Sequence, residues 1–211
     1  MKNTFLFLII YMLISCKENK QKVQISDITN ESNYEIISKK ENDTIYQISG
    51  ENNRYHLISG YKDIKNKRKI GWWEIKDKSN EYIYKIQFVF LKENKENQIK
   101  VYKDGNLINR LSRYYNTLYN NNGYQFRFYF PQYHEEDVNI EFQYVTSDDT
   151  TPPLRKTIKC IKEGDYYTCF IPVKDKKQLI AGIVTEFTSE NKENDDILLS
   201  STSMYVNTPT E

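Results

Sequence analysis

The stretch YQFRFYF, Tyr124 to Phe130, sets Tyr124, Phe126, Phe128 and Phe130 on one side of an extended chain and Gln125 and Arg127 on the other. Successive strand side chains point to opposite faces, so this alternation marks a strand with one face in a core and one face wet. The same period recurs on both sides of it. In YIYKIQFVF, Tyr82, Tyr84, Ile86, Phe88 and Phe90 share a face. In VNIEFQYV, Val138, Ile140, Phe142 and Tyr144 face away from Asn139, Glu141 and Gln143. Clean alternation suits antiparallel sheets with one solvated side. Turn residues separate the runs: Asp104-Gly105, Asn120 to Gly123, Asp148 to Pro153 and Gly164-Asp165. NRLSRYYNTLYN, Asn109 to Asn120, is the best candidate for a helical turn. The expected fold is all-β: an antiparallel meander over 45–119, then an immunoglobulin-like β-sandwich over 120–211, with strands at the spacing of that fold.

Upstream of Thr44 the texture changes. Residues 17–44 are rich in lysine, glutamate and asparagine, and read as a flexible tether, 16–44 with Cys16 included. A coil of that length spans roughly 30 Å. A first strand near Tyr34 to Ile37 is weakly signalled. Before the tether, Lys2 is followed by the uncharged run Phe5 to Ile14 and by the small Ser15. That is the order of a secretory signal peptide, 1–15. A bilayer-spanning helix needs roughly 20 apolar residues, more than this run supplies.

Cys16 is open to several readings from its position alone: a buried thiol, a metal ligand, a disulfide partner, or the first residue of the processed chain. Leu13-Ile14-Ser15-Cys16 resembles a bacterial lipobox. The resemblance implies a lipoprotein whose Cys16 carries acyl chains and anchors the chain to a membrane, since two or more chains hold where one holds marginally. Lys17-Glu18 is similar to the surface-export tag of Bacteroidota lipoproteins, which implies the outer membrane, facing outward or toward the periplasm.

KNKRKIGWWEIKDKSNEYI, Lys65 to Ile83, resembles a MORN-like segment through Gly71, Trp72 and Trp73, and VYKDGNLI, Val101 to Ile108, resembles a second, weaker unit. The match spans 65–108 and lacks the regular glycine spacing of a repeat array, so a small meander is expected rather than a solenoid. In a strand, Trp72 would share a face with Ile70 and Glu74, and Trp73 with Gly71 and Ile75. Glu74 marks the wetter face. That leaves Trp72 partly exposed, and Trp72 and Trp73 are the candidate ligand-binding residues, as a sugar platform or an interface anchor. The alternative is that a second layer covers them.

Cys160 and Cys169 flank Gly164-Asp165 in TIKCIKEGDYYTCFIPV. A two-residue hairpin turn there pairs Glu163 with Tyr166, Lys162 with Tyr167, Ile161 with Thr168, and sets Cys160 opposite Cys169. Non-hydrogen-bonded pairs have Cα atoms about 4.5 Å apart, within disulfide reach. A structural disulfide is the leading expectation, with a reduced pair or a metal or redox site as alternatives.

The chain carries 30 basic and 29 acidic residues and no basic stripe, so no nucleic-acid partner is expected. His56 and His134 are the only histidines and lie in no nucleophile or metal motif. The acidic runs at 134–137 and 189–196 lack calcium-loop spacing. No metal, cofactor or catalytic residue set is expected. The function expected is a non-enzymatic binding or interaction module, membrane-anchored at the bacterial envelope, with a protein or glycan partner. The alternatives are glycan capture and an immunity-type protein that binds a toxin in the periplasm.

Overall fold

A computed structural model describes residues 25–120, 122–131, 137–147, 154–191 and 197–208. Residues 1–15, Cys16 and Lys17-Glu18 lie outside the described residues, as do His134 and most of both acidic runs. Two compact units are distinguished, Met1–Asn33 and Tyr34–Glu211.

The described part of the first unit holds a helical turn, α1 (Ile25–Ile28), and a 3-10 turn at Glu31–Asn33. Local side-chain bonds close it: Thr29 Oγ1 donates to the Ile25 carbonyl (2.9 Å), and Asn33 Nδ2 donates to the Asp27 carbonyl (3.0 Å).

The second unit is nearly all strand. Its first sheet has seven strands in chain order: β1 (Glu35–Lys40), β2 (Ile45–Glu51), β3 (Tyr55–Asp63), β4 (Arg68–Asp77), β5 (Ile83–Phe90), β6 (Asn94–Lys103) and β7 (Asn106–Leu107). Each pairs antiparallel with the next, so this is a meander. It begins at Glu35, inside the stretch read as tether. β1 is exposed on both faces, which is why its polar sequence gave so weak a strand signal. Asp104 and Gly105 take positive φ (52° and 77°) in the β6–β7 turn, the conformation that a two-residue hairpin requires.

Two four-stranded sheets follow. One contains β8 (Tyr114–Asn120), β9 (Gly123–Tyr129), β12 (Ile161–Glu163) and β13 (Tyr166–Pro172), in the order β8-β9-β13-β12. The other contains β10 (Asp137–Thr146), β11 (Lys156–Lys159), β14 (Ile180–Asn191) and β15 (Ile197–Asn207), in the order β11-β10-β14-β15. They enclose one apolar core in a sandwich-like arrangement. Phe126 and Phe128 of β9 meet Phe142 of β10 edge-on, with ring centroids 5.1 and 5.4 Å apart. The residues that alternation assigned inward, Tyr124, Phe126, Phe128, Ile140 and Phe142, are buried there.

The stretch 109–120 is not a helix. Only Asn109–Leu111 turns, as a 3-10 turn, and Tyr114–Asn120 is strand β8. Tyr115 and Tyr119 alternate onto the core, while Tyr114 and Leu118 face outward with Gln125 and Tyr129 of β9. Cross-strand packing outweighs the local helical pattern. The sandwich-like part therefore starts at Tyr114 rather than at residue 120.

Meander and sandwich-like sheets are bolted together at β6. A register shift between Ile86 and Phe88 sets Gln87 against a bulge at Asn97 and Gln98. The buried Asn97 amide reads the Tyr205 backbone as a strand partner would. Its Nδ2 donates to the Tyr205 carbonyl (3.0 Å), and its Oδ1 accepts the Tyr205 N–H (2.6 Å). Beside it, Ile99 and Arg113 exchange backbone bonds of 2.7 and 2.8 Å, and Gln98 Oε1 accepts the Tyr115 N–H (3.3 Å).

Candidate binding site

β4 carries both tryptophans. Gly71 takes φ +64°, and the β3–β4 register jumps from Ser59↔Glu74 to Tyr61↔Ile70, so Gly71 to Trp73 form a bulge. A Cβ at Gly71 would touch nothing within 4 Å. The glycine is therefore there for its torsion, not for space. From Trp73 onward the alternation is regular: Trp73, Ile75 and Asp77 are fully buried.

Trp73 is a core residue. Its Nε1–H donates to the Tyr61 carbonyl (3.1 Å), and its ring meets Phe88 edge-on at 5.3 Å. Gly60 lies against the ring so closely that a Cβ there would stand 2.7 Å from it. The expectation that Trp73 joins Trp72 in ligand binding is corrected: with 0% exposure it offers no face to a ligand.

Trp72, 38% exposed, points the other way. Its cross-strand partner is Gln87, and the Lys100 ammonium stands 5.5 Å from its ring centroid. Lys100 also lies 5.2 Å from the Tyr114 ring. The next residue along β4 on that face, Glu74, pairs with Lys85 at 2.9 Å. Lys85 in turn sits directly opposite Lys100. Like charges directly opposite one another in a sheet are unfavourable. Burial lowers the proton affinity of Lys100, and Lys85 lowers it further. Among the described residues no carboxylate or hydrogen-bond acceptor takes the Lys100 ammonium.

The amide of Gln87 is fixed in orientation. Its Oε1 accepts from Asn97 Nδ2 and Gln98 Nε2, each at 3.0 Å. That leaves its own Nε2 as a donor without a partner among the described residues. Trp72, Lys100 and Gln87 thus present one aromatic plane, one cation and one amide donor on a single sheet face.

Beyond Lys100 a row of tyrosines crosses the outward face of β8, β9 and β13. Tyr114 stacks on Tyr129 (4.3 Å, 2° between planes), and Tyr129 meets Tyr166 at 5.5 Å. Arg127 stands 5.2 Å over the Tyr166 ring. Tyr114 and Tyr129 are buried, so they brace the junction rather than serve a ligand. Burial raises the Tyr114 hydroxyl above its ordinary value, and that hydroxyl donates to Asn109 Oδ1 (2.9 Å).

Cys160 and Cys169 are joined by a disulfide with Cα atoms 4.9 Å apart. The hairpin has the pairs Ile161↔Thr168, Lys162↔Tyr167 and Glu163↔Tyr166. The bridge stands where the chain changes sheets. Lys159 still pairs with β10, the Cys160 N–H donates to the Ile140 carbonyl (2.9 Å), and Ile161 already pairs with β13. Both sulfurs are spent in the bridge and both residues are buried, so neither presents a thiolate. His56 is exposed on β3. Among the described residues no group of three or more His, Cys, Asp or Glu is placed to hold a metal, and no helix is long and apolar enough to cross a membrane. A separate cleft of about 490 Å³ lies among Tyr144, Lys156, Ile171, Val173 and Lys174, and its titratable groups are lysines and a tyrosine.

Comparison with protein-family models, with curated proteins and with solved structures finds no match.

Sequence reasoning singled out Trp72 but missed Lys100 and Gln87. Both alternate onto the wet face of ordinary strands, so nothing local distinguishes them. Their meaning comes from cross-strand register and from the bulge at Asn97 and Gln98.

Proposed function

We propose that this chain is a lipid-anchored, non-enzymatic binding module of the bacterial envelope. The reading joins two supports. The lipobox-like Leu13 to Cys16 supports acylation and cleavage before Cys16, with the following polar residues lifting the folded unit off the membrane. The observation that carries the binding reading is Trp72: a large aromatic held partly exposed on a braced sheet, beside an ammonium that has no carboxylate partner among the described residues. An exposed aromatic on rigid structure beside fixed polar groups is the usual anatomy of a recognition surface.

The strand order supports an immunoglobulin-like sandwich. With β8, β9, β10, β12, β13, β14 and β15 lettered A to G and β11 as C′, the sheets run A-B-E-D and C′-C-F-G. The serial pairing of β4 to β7 supports the MORN-like reading of 65–108.

The test is metabolic labelling with a fatty acid in a Bacteroidota host, followed by membrane fractionation and protease treatment of intact cells. Acyl label lost in Cys16→Ser, with the variant released from the membrane, supports the reading. An unlabelled wild-type chain in the soluble fraction overturns it. Digestion on intact cells places the module outside; protection until lysis places it in the periplasm.

A further inference from the structure

We propose that the Trp72 face takes an acidic sugar, with a pyranose ring on the indole and its carboxylate at Lys100 and Gln87. The inference rests on the binding-module reading and names the ligand class of the same site. Three observations converge on it. Trp72 supplies an apolar plane whose neighbours toward Lys100 are polar: Glu74 on β4, Lys85 and Gln87 on β5, and Lys100 on β6, with Val89 on its other side. A protein interface of useful affinity needs a contiguous, well-desolvated apolar centre around its anchor. A sugar needs one aromatic plane and a few directed polar groups, which is what this face offers.

The charge is wrong for a neutral sugar. Glu74 is engaged by Lys85, so the two lysines and one glutamate leave one positive charge, and it sits on Lys100. Lys85 and Lys100 face each other across the β5–β6 ladder. A bound carboxylate relieves that repulsion and gives the ammonium an acceptor, which it lacks among the described residues. The polarity of the third group agrees. With Oε1 of Gln87 already accepting from Asn97 and Gln98, only N–H donors face a ligand, and a carboxylate is an acceptor-only group.

The experiment is calorimetric titration of the full-length chain, solubilised in detergent, with oligogalacturonate, cellohexaose and poly-glutamate. Saturable binding of oligogalacturonate is expected, weakened about tenfold or more by Lys100→Gln and by Trp72→Ala, since a charge-assisted bond or a ring contact is worth about one such factor. Lys100→Arg keeps the charge and is expected to keep binding. Cellohexaose is expected to bind at least about tenfold more weakly, again by the lost charge-assisted bond. Unchanged thermal midpoints show that the variants fold. No saturable oligogalacturonate binding, or binding indifferent to Lys100→Gln, overturns the inference. Binding of poly-glutamate in preference to oligogalacturonate overturns it in favour of an acidic protein partner. The anchor is read separately: a chain held at membranes through Cys16 that ignores uronate refutes the ligand and leaves the module reading standing.

Discussion

Gly60→Ala is expected to be among the most damaging single-methyl changes in the meander. A Cβ at residue 60 would lie 2.7, 2.8 and 3.0 Å from Cδ2, Cε2 and Cγ of Trp73, all inside ordinary contact. The indole is poorly placed to retreat. It is fully buried, pinned by its bond to the Tyr61 carbonyl and packed against Phe88. Overpacking of this kind costs about 1–3 kcal/mol. If the ring shifts far enough to orphan its N–H, about 1–3 kcal/mol more is lost. Restricting the unfolded chain returns about 0.4–1 kcal/mol. With all three contributions the net expectation is a loss of about 3 kcal/mol, within about 1–5.6. Urea unfolding followed by tryptophan fluorescence reads it as a lowered midpoint with an unchanged slope. Gly71→Ala is the internal control. There the Cβ meets nothing, and only the left-handed torsion at φ +64° is penalised, at about 1–2 kcal/mol. A Gly60→Ala variant as stable as wild type, or less affected than Gly71→Ala, refutes the packing argument.

Asn97→Ala removes the side chain that pairs with both backbone groups of Tyr205, and is expected to cost about 2–4 kcal/mol and to split unfolding into separate meander and sandwich transitions, read by calorimetry. Replacing Cys160 and Cys169 together by alanine opens a short loop, with an expected loss of about 2–3 kcal/mol in urea and no change in ligand binding, because both cysteines belong to the sandwich core cluster and Trp72 does not. Alkali should destabilise the fold. Burial raises the Tyr84 hydroxyl to about 12, with Asp77 adding to it, and burial raises Tyr34 and Tyr114 as well. Above the ordinary tyrosine value of about 10 the unfolded chain loses protons that the fold retains. The stability from Tyr84 is therefore full below pH 10 and lost as pH rises through about 12. A flat unfolding midpoint from pH 9 to pH 12 would contradict this.

The strands were legible wherever one face is dry. The alternations at 82–90, 124–130 and 138–144 mark β5, β9 and β10 because a half-buried strand writes its burial into every second residue. The hairpin at Cys160 to Cys169 was legible because Gly164-Asp165 fixes the register on both sides of the turn. β1 was hard to read because it is wet on both faces. The stretch 109–120 holds its helical turn only at Asn109–Leu111; β8 was hard to read because its aromatic residues serve two surfaces, Tyr115 and Tyr119 the core and Tyr114 the junction. The candidate site was half legible. A Gly-Trp-Trp run announces one tryptophan in and one out, and Trp72 was assigned outward from Glu74. What escaped is non-local. Asn97 finds Tyr205 across a sequence separation of 108, and Lys100 finds its place beside Trp72 only through the β4–β5–β6 register.

If Trp72 is a binding surface on an envelope-anchored module, it is covered where the module acts. The most direct test is oxidative footprinting of the tryptophans, in the purified full-length chain and on intact cells that display it, with the adjacent Trp72 and Trp73 resolved by fragmentation mass spectrometry. Trp73 is expected to be spared in both settings, and Trp72 to be oxidised in the purified chain and protected on cells, where its ligand is present. Equal oxidation of Trp72 in both settings would contradict the claim, because the face would then stand unoccupied where it is meant to act.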